Sequence, residues 1–204
     1  MRFLYAALFA ILITTSSAFA GIEEGRKAYM AEDWFTAIKE LRPLAEQGNG
    51  EALVMLGNMY NDGKGVSQNH EMAFSQYKQA LASGNDNAML AIATMYVQGL
   101  GTEKDFPAGF EWFTKSAEAG NPAGQFMLAS LYLDGHPELP DLKPDPVKAY
   151  GWYRIAARQD RLPDVATAGK ELARRLTVKL TPDQILEGEK FADNYYAAQQ
   201  DNAE

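Results

Sequence analysis

Ser75-Gln76-Tyr77-Lys78 sets a lysine one helical turn after a serine. S-x-x-K is the spacing in which a serine hydroxyl becomes an acyl-enzyme nucleophile, as in penicillin-interacting enzymes. The companion S-D-N and K-T-G triplets are missing from this chain. Ser75 also shares a repeat column with Glu111 and Gly151, so that column accepts any side chain and is expected to face solvent. The two histidines, His70 and His136, have no carboxylate or second histidine at ligand spacing, which argues against zinc. Glu138, Asp141 and Asp145 gather in the proline-rich run HPELPDLKPDP, but calcium asks for denser and more regular oxygen ligands. Gly63/Gly65 and Gly99/Gly101 form G-x-G pairs that follow predicted helices rather than strands, the wrong context for a nucleotide phosphate. The residues therefore predict a non-enzymatic protein without cofactor or metal.

What the residues do announce is a period. Tyr60, Tyr96 and Tyr132 step by 36, as do Gly63, Gly99 and Gly135, and Gly48, Gly84 and Gly120 with the asparagines that follow them. Small residues recur at Ala52, Ala88 and Gly124, and apolar ones at Leu56, Ile92 and Leu128, each four residues apart up to the tyrosine: one face of a helix. Asn69, Asp105 and Asp145 then offer N-caps for a second helix carrying Ala73, Gly109 and Ala149, and next Tyr77, Phe113 and Tyr153. The first-helix tyrosine is expected to wedge its ring between the two helices, and the glycine three residues on to end the helix in the left-handed region. The third unit is 40 residues long, its four extra residues falling in the proline-rich loop. Helix, loop, helix and turn at such a period predict an α-solenoid, because neither helix can bury its apolar stripe alone.

The run Ala52-x-x-x-Leu56-Gly57-x-Met59-Tyr60-x-x-Gly63-x-Gly65-Val66 resembles the Sel1-like repeat, a relative of the tetratricopeptide repeat with a longer inter-helix loop. Repeat two departs from it with Ala93 for glycine and Thr102 for valine. The resemblance implies an all-α, right-handed α-α superhelix whose first helices line the concave side. Carried over, that puts Val54/Leu90/Phe126, Asn58/Thr94/Ser130 and Asn61/Val97/Leu133 on a groove for an extended peptide or a partner's helix. The same columns also suit plain packing between neighbouring helices.

Units are expected at 48–83, 84–119 and 120–159, preceded by a helix pair in 21–47 (helices 22–31 and 33–47) and followed by capping helices in 160–204. Thr181-Pro182-Asp183-Gln184 reads as a capping box opening the last helix. Residues 1–20 read as a signal peptide: Arg2, an apolar run from Phe3 to Ile13 too short for a bilayer, and Ala18-Phe19-Ala20 as the cleavage signal. Cleavage near Ala20 would leave an exported, periplasmic chain with no stable membrane span. The full chain carries 27 acidic against 19 basic residues, which speaks against a nucleic-acid partner, and it has no cysteine, so export would rely on packing rather than disulfides. The expected function is a protein- or peptide-interaction scaffold or adaptor in the cell envelope. The alternative is an envelope enzyme, or a direct binder of cell-wall glycan or β-lactam.

Overall fold

The computed structural model describes residues 20–158 and 161–201, all-α as the period predicts. All but the last residue of the expected signal peptide lies outside these residues. The helices are α1 (20–30), α2 (Trp34–Glu46), α3 (Gly50–Asp62), α4 (His70–Ala82), α5 (Ala88–Gln98), α6 (Phe106–Glu118), α7 (Pro122–Asp134), α8 (Pro146–Ala157), α9 (Pro163–Leu176) and α10 (Pro182–Asp201). They fall into two compact units. One runs to Met95 and takes in Gly99–Glu103; the other holds Tyr96–Gln98 and the chain from Lys104 onward.

Local chemistry sets most of the helix starts. The carboxylate or amide oxygen of Asn69, Asp105 and Asp145 accepts the N–H three residues on, each at 2.9 Å, and so opens α4, α6 and α8. Asn49 and Asn121 cap α3 and α7 in the same way, each reaching two backbone N–H groups at 3.0–3.1 Å. Such a cap is worth about 1 kcal/mol. In repeat two Asn85 spends its side chain on the Asn87 N–H, and α5 starts only at Ala88. Thr181 and Gln184 form the expected reciprocal capping box, at 3.0 and 3.3 Å.

The inter-helix loops share one closure. The backbone N–H of Asn69 bonds the carbonyl of Tyr60 at 2.8 Å, and Asp105 bonds Tyr96 at 2.9 Å. Asp145 bonds Tyr132 at 2.6 Å, so the longer third loop bulges without altering how it is tied. Gly63 and Gly99 take up αL geometry (φ 69°) and end their helices, whereas Gly135 has φ 66° but ψ −172°, sending its longer loop elsewhere. That loop is pinned by a stack of His136 on Phe106 (centroids 3.5 Å) and by the pair Lys104–Glu138 at 2.8 Å.

The buried rings differ from expectation. Tyr60, Tyr96 and Tyr132 are only half-buried, while Tyr77, Phe113 and Tyr153 of the second helices are almost fully enclosed, at 2–3% exposure. The reason is the small residue three before each first-helix tyrosine: Gly57, Ala93 and Ala129 are all buried. A Cβ on Gly57 would lie 2.6 Å from the Tyr77 ring. Room for an aromatic side chain exists where the opposite backbone comes close, and that room faces the second helix.

In the first unit α2 packs on α3 and α3 on α4; in the second α6 through α9 pack in succession, and α10 returns onto α8. Trp152, whose column is half-exposed at Gln76 and Trp112, is buried because Phe191 and Tyr195 of α10 meet it edge-on at 5.4 and 5.5 Å.

Candidate partner-binding face

All nine residues of the predicted groove (Val54, Asn58, Asn61, Leu90, Thr94, Val97, Phe126, Ser130 and Leu133) are part-exposed. Five of them have a buried neighbour one residue away: Leu53 and Met55 beside Val54, Met59 beside Asn58, Met95 beside Thr94, Gln125 beside Phe126, Ala129 beside Ser130. Helical geometry places such residues at the margin of the buried stripe. Within each unit they therefore combine accessible side chain with a rigid backbone.

The polar column has internal duties that spacing alone did not reveal. The Tyr77 hydroxyl donates to Asn58 Oδ1 at 2.7 Å, and in repeat three the Ser130 and Tyr153 hydroxyls lie 2.9 Å apart. In repeat two the second-helix aromatic is Phe113, with no hydroxyl. There Thr94 donates instead to the carbonyl of Leu90 in its own helix, at 2.9 Å. Ser130 likewise donates to the carbonyl of Phe126 at 3.1 Å, so a hydroxyl in this column can bond its own helix with or without a tyrosine partner. Burial pushes the Tyr77 and Tyr153 hydroxyls above the ordinary phenol range, so both stay protonated donors or acceptors at neutral pH. Asn61 Oδ1 lies 3.1 Å from His70 Nδ1, placed to accept from it, and the Asn61 amide N–H donates to Asp62 at 3.0 Å. Phe126 lies edge-on to Tyr153 at 5.2 Å.

The apolar members are freer. Val54, Leu90, Val97 and Leu133 present aliphatic side chains that are neither enclosed nor fully solvated. A partner's apolar side chain placed there would remove surface from water at about 25 cal/mol per Å².

Ser75 is exposed; its hydroxyl accepts from Gln79 at 3.3 Å, and Lys78 Nζ sits 5.7 Å over the Phe74 ring. They line a shallow depression of about 390 Å³ along α4. Among the described residues no three His, Cys, Asp or Glu side chains come together as a metal site, and no helix is long and apolar enough to cross a membrane.

Sequence reasoning missed the polar seam of α10. Tyr195 donates to the carbonyl of Ala117 (3.1 Å) and accepts from the buried Gln125 (3.1 Å), while Gln199 donates to Glu118 (2.8 Å). Tyr196 donates to the carbonyl of Ile155 at 2.7 Å. These tyrosines and the glutamine satisfy carbonyls left over at the C-terminal ends of α6 and α8. The sequence signal was the pair Tyr195-Tyr196 late in α10.

The Sel1 repeat model matches residues 50–85, 86–121 and 122–160, starting two residues after Gly48, Gly84 and Gly120. Among solved structures, a Sel1 repeat protein from Oxalobacter formigenes is 28% identical with a TM-score of 0.59, over 70% of this chain and 56% of that one. The protein c5321, a protective antigen of uropathogenic Escherichia coli displaying an SLR fold, is 24% identical with a TM-score of 0.48, over 86% of this chain and 45% of that one. The chain thus matches about half the length of each. No curated protein matches it. With three matched repeats covering more than half of its 204 residues, the chain belongs to the Sel1 repeat family.

Proposed function

We propose that this protein is a non-enzymatic interaction scaffold of the periplasm, holding a protein or peptide partner on the part-exposed face of its first helices. Sel1 repeat proteins generally serve as protein-interaction scaffolds. The observation that carries the reading is the set of aliphatic and aromatic side chains, Val54, Leu90, Val97, Phe126 and Leu133, left part-exposed on helices that also contribute buried core residues. Rigid presentation lowers the entropy cost of binding, since little of the site has to be ordered when the partner arrives. The periplasmic assignment rests on the pattern of residues 1–20: a basic start, a short apolar run and an A-x-A end.

Affinity capture from an envelope extract, using the chain as processed by its host, tests the reading. Leu90→Glu and Phe126→Glu are expected to abolish recovery of the partner while preserving the helical circular dichroism spectrum. Undiminished capture by the double variant would remove the first-helix face from consideration. Mass spectrometry of the exported chain should find its N-terminus near Gly21, and an intact Met1 in the purified envelope protein would refute the processing.

A further inference from the structure

Basic residues are unevenly spread along this acidic chain. From Arg154 to Lys179 there are seven Lys and Arg against three Asp and Glu; the rest of the chain has twelve against 24. Within that stretch α8 and α9 border a cavity of about 460 Å³, inside the roughly 300–1,000 Å³ span of ligand sites. One face of α9 lines it, with Lys170, Glu171 and Arg174 at helical spacing, and α8 supplies Tyr150 and Arg154.

The charges there do not cancel. Glu189 of α10 accepts from the Tyr150 hydroxyl at 2.7 Å and from Arg154 Nη2 at 3.1 Å, which fixes the guanidinium. Arg154 Nε is enclosed and has no acceptor among the described residues. Glu171 is taken by Arg174 and Arg175, at 2.8–3.0 Å. Lys170 is exposed and has no ion pair among the described residues. Three cations, Arg154, Lys170 and Arg174, thus line the cavity with one carboxylate, Glu171. Arg174 and Arg175 have an ordinary explanation, since cations in the last turn of a helix complement its dipole. Arg154, in the last turn of α8, shares that explanation, but its enclosed Nε is left without an acceptor among the described residues; Lys170, mid-helix, does not share it.

We propose that this pocket receives an acidic side chain of a partner polypeptide, with Lys170 and Arg154 meeting the carboxylate and the aliphatic parts of Lys170, Thr167 and Thr177 meeting an adjacent aliphatic residue. The lining is mostly apolar, so a bare inorganic anion would leave most of it unused. A polyanion such as nucleic acid would be repelled by the excess of acid elsewhere on the chain. An acidic residue beside an aliphatic one satisfies both features. The proposal rests on the reading of this chain as a protein-interaction module, yet it uses residues of α8 and α9 that the first-helix face does not include.

Fluorescence anisotropy with the full chain and a labelled peptide of alternating Leu and Glu tests it, with the Leu–Gln peptide as the neutral isostere. The Glu peptide is expected to bind about tenfold tighter than the Gln peptide, and to weaken as added salt screens the charges. Lys170→Glu should reduce its affinity by about tenfold, while Lys170→Arg retains it. Leu90→Glu should leave it unchanged; loss of peptide binding there would move the peptide to the first-helix face and overturn the pocket assignment. Equal affinity for both peptides, no binding of the Glu peptide, or a Lys170→Glu chain that binds as well as wild type would each overturn it too. Because the peptide comparison is made on the wild-type chain, it decides the matter even if a variant fails to fold.

Discussion

The pairing of first-helix side chain and second-helix aromatic can be tested by rewriting one repeat as another. Tyr77→Phe removes a hydroxyl that donates to Asn58 Oδ1 at 2.7 Å from a ring only 3% exposed. The part-buried amide oxygen then loses its donor, at a cost of about 1–2 kcal/mol. For a chain of this size that lowers the melting temperature by about 2–4 °C per kcal/mol. In repeat two the aromatic column holds Phe113, which has no hydroxyl, and Thr94 of the first-helix column bonds the carbonyl of its own helix four residues back. Asn58→Thr in the Tyr77→Phe background should therefore recover part of the loss, about 0.5–1 kcal/mol of coupling. Asn58→Thr alone should destabilise, because the Tyr77 hydroxyl is left enclosed without its acceptor. Urea unfolding of the four proteins, followed by far-UV circular dichroism and closed as a double-mutant cycle, measures the coupling directly. If Tyr77→Phe costs the same whether residue 58 is Asn or Thr, the two columns are independent and the reasoning fails.

Alkaline pH should destabilise the second unit: burial and the Glu189 carboxylate push the Tyr150 phenol up to about 12 from its ordinary 10.0. The unfolded chain then loses its proton first, so stability is intact below pH 10 and falls as pH rises toward 12; Tyr150→Phe should flatten that slope in pH-dependent urea titrations, and an unchanged slope would refute the assignment. Two glycines with positive φ should respond differently to alanine. Gly48 (φ 82°) has open space around it and should lose only the backbone strain of about 1–2 kcal/mol. Gly101 (φ 67°) would drive its new Cβ into the carbonyl of His70 as well, so Gly101→Ala should cost clearly more; equal melting temperatures for the two variants would show that the loop has slack.

What could be read from the sequence is what the chain decides over a few residues. Asn69, Asp105 and Asp145 cap because a short oxygen-bearing side chain reaches the N–H three residues ahead, whatever surrounds it. Gly63 and Gly99 end their helices because a Cβ is costly at their φ, again a local matter. The 36-residue recurrence of these signals was enough for the solenoid class, since each unit repeats the same local solution. The columns of the first-helix face were likewise legible as positions on a helix.

Their duties were not, because they depend on who stands opposite. Asn58 and Ser130 proved to be partners of the buried tyrosines, while the tyrosines conspicuous in the repeat, Tyr60, Tyr96 and Tyr132, stayed at the margin. Backbone proximity at Gly57 settled which ring went inside, and periodicity carries no record of that distance. Tyr195 meets Gln125 across 70 positions, with no repeat to advertise the pair. The pocket of Lys170 and Arg154 arises only once α8 and α9 lie side by side. Local sequence determined helices, caps and their recurrence, because those energies are spent within a turn or two of the chain; tertiary structure decided burial, hydrogen-bond partners and the charged pocket, because those depend on distances between segments that no local pattern encodes.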